Sequence, residues 1–195
     1  MAALAAGHSV TAGVYHAEVA IAAAGHLSIK LCDATDPHEV RALVEGQDAV
    51  VSLLGHVQGS APDVQTRAMH TIITAMKESG VRRLISLTGT GVRFPGDTIS
   101  FVDAVLTNAV KIVDPKRIKD GIQHAELIKK SGLDWTIIRV MKLQDFPPKP
   151  FVLTQHGPGK MVVSRQEVAQ AILQVLEKQT FVGQAPVISA PRTKK

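Results

Sequence analysis

Three short segments carry residue types that can do chemistry. Asp33 follows the apolar run Leu27–Cys32, Gly55 follows Ala49–Leu54, and Thr88-Gly89-Thr90-Gly91 follows Leu84–Leu87. Apolar runs rich in β-branched residues read as buried strands. All three segments are therefore expected at the C-terminal ends of parallel strands, where open α/β sheets bind their ligands. An acidic side chain there can accept from a ribose hydroxyl or an adenine amine. A glycine lets a flat ring or a sugar approach the backbone closely. The Thr88 and Thr90 hydroxyls can hydrogen-bond a nicotinamide ribose or a substrate carbonyl. Asp33 and Thr35 also suit a plainer role, as a turn that opens the next helix. Three segments at equivalent places favour the ligand reading.

Other titratable groups point less clearly. His124 lies four residues after Asp120 on one expected helix face, which allows a carboxylate–imidazole bond. A solvated helix pair is the reading adopted, with a proton relay as the alternative. Arg139 ends the run Trp135–Arg139 at the ligand edge, where it suits a phosphate or carboxylate and equally a structural ion pair. Cys32 ends a buried strand and reads as inert core. The eight histidines are scattered, without the i, i+4 pairing of a zinc site, so no metal is expected. Lys116, Arg117 and Lys119 crowd a helix start, where the dipole disfavours cations, which makes a nearby anion more plausible.

The elements that must position these residues alternate along the chain. Strands are expected at Val10–Tyr15, Leu27–Cys32, Ala49–Leu54, Leu84–Leu87, Thr136–Val140 and Pro186–Ser189. Helices are expected at Pro37–Val44 after the N-cap Asp36, at Asp63–Ser79 closed by Gly80, at Arg117–Lys130 closed by Ser131-Gly132, and at Gln166–Glu177. The last begins with a capping box from Ser164 and Glu167. Val92–Val113 fits no clean element and has the position of a lid or substrate loop. The alternation predicts one α/β domain over residues 1–195, a Rossmann-like doubly wound, mostly parallel sheet.

Composition narrows the class. The chain has 195 residues, 45% hydrophobic, 20% charged and only 4% aromatic, so the core is aliphatic, as α/β sheets usually are. No apolar run reaches the roughly 20 residues of a membrane span. No basic region precedes an apolar stretch at the N-terminus, which argues against a signal peptide. One cysteine is compatible with a reducing compartment. A cytoplasmic protein is expected, with no membrane partner. The net charge is +5, yet Tyr15 and Trp135, the single tyrosine and tryptophan, lie away from the basic clusters. A nucleic-acid partner is therefore not expected.

The order of these segments resembles the atypical short-chain dehydrogenases/reductases, in the NAD(P)H-binding, NmrA-like and biliverdin/flavin-reductase-like branch. The resemblance is carried by Asp33-Ala34-Thr35-Asp36-Pro37, by Val44 to Ser52 with Gly55, and by Arg82 to Thr88. Ser131 to Arg139 and Ser164 to Ala169 continue it. It implies NADP or NAD as cofactor, NADPH slightly preferred, a small-molecule substrate, and a homodimer among the expected assemblies. Asp33 and Ala34 would then lie near the adenine, with Tyr15 at the end of the preceding strand. Leu54, Gly55 and His56 would lie near the ribose and pyrophosphate, and Leu87, Thr88 and Gly89 near the nicotinamide, with Arg139 as a further cofactor ligand. Thr88, Thr90 and His124 are the catalytic candidates. The implied reaction is hydride transfer to a small conjugated, flavin- or quinone-like acceptor. The alternative is a non-catalytic dinucleotide sensor.

Two departures matter. The Tyr-x-x-x-Lys pair of typical members is absent, and the helix that would carry it reads Lys119-Asp120-Gly121-Ile122-Gln123-His124. Such proteins also begin with a strand and a glycine-rich turn, whereas this chain begins in the helix after it. The expectations are weak dinucleotide binding and a sheet without its central strand. Val10–Tyr15 and Ala49–Leu54 would then either pair directly or leave open edges.

Overall fold

A computed structural model describes residues 2–16, 25–98, 104 and 114–191. The elements in order are α1 (Ala2–Ala5), β1 (Val10–Val14), β2 (Leu27–Leu31), α2 (Pro37–Val44), β3 (Ala49–Ser52), α3 (Val64–Glu78) and β4 (Arg83–Gly89). There follow α4 (Pro115–Lys130), β5 (Asp134–Val140), β6 (Lys142–Gln144), β7 (Val152–Thr154), β8 (Val162–Ser164), α5 (Arg165–Glu177) and β9 (Val187–Ser189). Most of the expected Val92–Val113 excursion lies outside the described residues.

The helix boundaries follow local chemistry. Asp36 accepts from the His38 and Glu39 amides and caps α2, with Pro37 at the first position. Ser164 and Glu167 close a reciprocal capping box on α5. Gly80 and Gly132 sit just past α3 and α4 with φ of 71° and 75°, a left-handed conformation that glycine adopts without a Cβ penalty.

The sheet is doubly wound but divided. β3-β4-β5-β9-β7 form five strands, parallel except for β7 against β9, while β1 and β2 form a separate parallel pair. The expected strands β1 and β3 do not pair with each other, so among the described residues their outer edges stay open. A third small sheet, β6 with β8, lies beyond the end of β5.

Alternation along the strands feeds two cores. Leu84 and Ile137 pack with α2, α3 and α4 through Val40, Met69, Met76 and Ile128. Their neighbours Ile85 and Ile138 pack on the other face with α5 through Val168, Ala171 and Val175. This two-faced burial makes the central strands read as unbroken apolar runs. We expect Ile138→Ala to cost about 2–5 kcal/mol, because the wholly buried side chain leaves a cavity. Urea unfolding would show a lower midpoint at unchanged slope.

Candidate active site

The candidate residues gather where the strands end. Thr88 and Gly89 are the last two residues of β4, registered against Arg139 and Val140 of β5. Thr90 continues the ladder by donating its N–H to the Val140 carbonyl at 3.0 Å. β4 is thus longer than the expected Leu84–Leu87, because its pairing with β5 runs to Gly89. Thr88 and Thr90 are buried, while Gly89 is exposed. β3 ends earlier than expected, at Ser52, leaving Leu53, Leu54 and Gly55 exposed in the following loop. A Cβ placed on Gly55 would meet nothing within 4 Å, and one on Gly89 nothing closer than 3.9 Å. The backbone at both strand ends is therefore open to a ligand.

Asp33 takes the plainer role. Its carboxylate accepts from the Thr35 amide and hydroxyl, both at 2.8 Å. The amide bond first and the hydroxyl second hold its carboxyl below the usual range. Ala34 lies within this turn, partly buried. Burial first, then Glu39, Asp33 and Asp36, raise the Cys32 thiol, in keeping with an inert core cysteine. Tyr15 is 68% exposed just past β1 and meets His16 edge-on, ring centres 4.8 Å apart.

Below the strand ends lies a buried polar cluster that the sequence reading placed in solvent. Asp120 and His124 are each only 2% exposed and do not bond each other. Asp120 of α4 instead accepts from the Gln65 and Thr66 amides at 3.0 Å, from the Thr66 hydroxyl at 2.5 Å and from His56 Nε2 at 2.8 Å. It caps α3 from a neighbouring helix, while the local N-cap residue Asp63 makes no side-chain bond. Gln65 Nε2 donates to the Leu54 carbonyl at 2.7 Å and Arg117 to the His56 carbonyl at 3.2 Å, fixing the loop that holds Gly55. His124 Nε2 pairs with Ser86 Oγ at 3.0 Å, and its Nδ1 has no partner. Burial, opposed by Asp120, pushes the His124 pKa down to about 4. The solvated pair is thus corrected to two separate buried contacts.

Arg139 is fully engaged by the protein. It forms a bidentate pair with Asp97, at 2.5 and 2.7 Å, and donates to the carbonyls of Ala185, Val92 and Gln155. Those bonds use all five guanidinium donors, and Phe94 stacks 4.9 Å away. Of the two sequence readings, the structural ion pair is the one formed, and no donor is left for a cofactor. Burial acts to raise the Asp97 pKa, but the Arg139 and Phe94 bonds outweigh it and hold the carboxyl low.

Cavities lie just past the end of β4 and beside β6 and β8. One of about 200 Å³ is lined by Gly91, Val92, Phe94, Ile122 and Glu126. A second of about 510 Å³ is lined by Phe146, Pro147, Lys149, Lys160 and Val162. Among the described residues no group of three His, Cys, Asp or Glu could hold a metal, and no helix is long and apolar enough to cross a membrane.

Sequence reasoning missed Ser86, His56 and Gln65 as a set, because they come from three elements and share no spacing. Known proteins share this fold. A family model described as NAD(P)H-binding matches residues 1–179. A candidate epimerase from Bacteroides thetaiotaomicron superposes with a TM-score of 0.80 at 22% identity, covering 100% of this chain and 91% of the other. A short-chain dehydrogenase/reductase from Veillonella parvula, in complex with NADP, gives 0.77 at 19% identity, covering 100% and 89%. An oxidoreductase from Lactococcus lactis gives 0.74 at 16%, covering 95% and 81%.

The buried imidazole sets a pH dependence. Its folded pKa lies below the unfolded value of about 6.5, so only the unfolded state binds the proton between the two. Stability is full above about pH 6.5 and falls as the pH drops toward 4. Wild type is expected to lose about 2 kcal/mol between pH 7 and pH 5 by urea unfolding, and His124→Gln to lose much less. Asp120→Ala leaves two helix amides and His56 without an acceptor and should cost about 2–4 kcal/mol, read as a lowered Tm.

Proposed function

The chain belongs to the NAD(P)H-binding family whose model spans residues 1–179, and on that premise we propose an oxidoreductase-like protein that reduces a small conjugated, flavin- or quinone-like acceptor. The observation that carries this reading is the open backbone at Gly55 and Gly89, beside the buried hydroxyls of Thr88 and Thr90. A glycine at each place lets a flat ring approach the backbone closely. Bound NAD(P)H supplies the hydride, since the cofactor carries the chemistry. Thr88 and Thr90 orient the reacting groups by hydrogen bonding. His124 is neutral at pH 7 and can act only through Ser86, the one group it bonds. The apolar wall of Phe146, Pro147 and Val162 in the larger cavity suits a conjugated acceptor.

The grip on phosphate is weak in this reading. The first-turn amides of α2, α3, α4 and α5 are bonded by Asp36, Asp120, Asp114 and Ser164 in turn. No start of these four helices is left free to cradle a pyrophosphate in the usual way. Forgoing two charge-assisted bonds weakens binding by roughly 10²- to 10⁴-fold.

The second reading is a dinucleotide sensor without turnover. It is favoured by the full burial of His124 and by the lack of an exposed acid at β4. Fluorescence titration with NADPH and NADH is expected to saturate well above micromolar concentrations. Oxidation of NADPH should then depend on a flavin, quinone or biliverdin acceptor, and Thr88→Val should slow it about tenfold or more. Binding without turnover on any acceptor would select the sensor. Failure to bind either cofactor would remove both readings, and micromolar affinity would overturn the weak phosphate grip.

A further inference from the structure

We infer that the larger cavity takes a flat apolar acid and that Lys160 receives its carboxylate, which rests on the reading of this cavity as the acceptor site. The cavity holds about 510 Å³, within the roughly 300–1,000 Å³ of small-molecule sites. It lies beside β6, which follows directly on Val140 of β5, the residue registered against Gly89. Its lining divides by chemistry. Phe146, Pro147 and Val162 are apolar, and among the described residues Lys149 and Lys160 are its titratable members.

One carboxylate builds both walls. Glu167 is wholly buried, and its Oε1 accepts from the Lys149 amide and from Lys160 Nζ, both at 2.8 Å. Its Oε2 accepts from the Ser164 amide at 3.2 Å, within the capping box that starts α5. The Lys160 backbone is fixed as well, its N–H donating to the Ile188 carbonyl of β9 at 2.8 Å. Lys160 is thus held at both ends, and its side chain is only 14% exposed. The side-chain entropy that a lysine usually loses on gripping a ligand is already lost on folding.

Hydrogen-bonding capacity remains at its tip. An ammonium has three donors, and among the described residues Glu167 takes one of them. The other two sit on a group that solvent barely reaches, where a polar group without partners is costly. An oxygen of a bound ligand meets that need.

Charge sets the kind of ligand. Glu167 offsets one of the two ammonium charges, which leaves a single positive charge at the cavity. Arg165 and Asp145 pair with each other at 2.7 Å and add none. A monoanion balances that charge, whereas a dianionic phosphate would leave a negative charge beside Glu167. Lys149 Nζ lies 5.8 Å from the centre of the Phe146 ring. Cation and apolar wall therefore adjoin, as the carboxylate and ring of an aryl acid do.

Calorimetric titration of the full chain without cofactor tests this with 2-naphthoate and 2-naphthamide, which share a ring system and differ in charge. The acid is expected to saturate and to bind about tenfold or more tighter than the amide. Lys160→Gln keeps an N–H for Glu167 but removes the charge, and should abolish the preference. Lys149→Gln changes an exposed side chain without touching its amide, and should reduce it. Phe146→Ala should weaken both ligands alike. Equal binding of the two ligands, or no binding at about 10 mM, overturns the proposal. So does a preference kept by Lys160→Gln with wild-type circular dichroism. Should that variant fail to fold, Lys149→Gln decides in its place, and a preference it leaves untouched overturns the proposal.

Turnover separates this site from the reading it rests on. With saturating NADPH, 1,4-naphthoquinone-2-carboxylate takes a hydride from the cofactor and a proton from water to give the hydroquinone. Its KM should lie about tenfold or more below that of 1,4-naphthoquinone. Equal KM values overturn the proposal while the reductase reading stands. Naphthoate binding without turnover of either quinone keeps the site and removes the reductase reading.

Discussion

Asp120 places a charge in the interior and surrounds it with donors, and the geometry of the strand ends depends on that arrangement. A buried carboxylate is tolerable only when its lone pairs are met. Here both oxygens accept, from two amides of α3, one hydroxyl and one imidazole. The negative charge sits at the positive end of a helix, where it is stabilised. Through it α4 fixes where α3 begins, and α3 in turn holds the Leu54 carbonyl through Gln65. The openness of Gly55 is thus set by a residue on another element.

Much of the fold was legible because its signals are local. The helix starts at Asp36 and Ser164 and the stops at Gly80 and Gly132 are written in adjacent residues, and α2 matches its expected bounds of Pro37–Val44. The strands were legible from two-sided apolar runs. The three-residue strands β6, β7 and β8 were not, since they are too short to show a period. The site was harder to read. Asp33, Gly55 and Thr88 could be placed at or just past strand ends because strand ends have a position in sequence. The burial of Asp120 and His124 was missed because it depends on which helix packs over them, and an i, i+4 pair looks the same in solvent and in a core.

Arg139 illustrates the same limit from the opposite direction. A cation at the ligand edge of a central strand is equally suited to an anion or to the protein's own loops. Only the placement of Asp97 and of three carbonyls from distant segments decides. Arginine serves here because its planar fork meets a carboxylate bidentately and still has donors for backbone. Through it the loop after β4 is bound to the end of β7 and the approach to β9.

The separation of β1 and β2 from the other strands has a consequence for how the molecule breathes. Cooperativity follows contiguous packing, and segments joined to the rest through one helix face open at lower free energy than the centre of a sheet. β4 and β5 are clasped between two cores. Among the described residues β1 and β2 form a ladder only with each other, and α2 beside them packs on α3. The molecule therefore has a firm half and a loose half, meeting at the crossover from β2 to β3. Asp33 and Tyr15 ride on the loose half, and Thr88 and Gly89 on the firm one. A ligand touching both would bind a hinge rather than a floor, and part of its binding energy would go into stilling that motion.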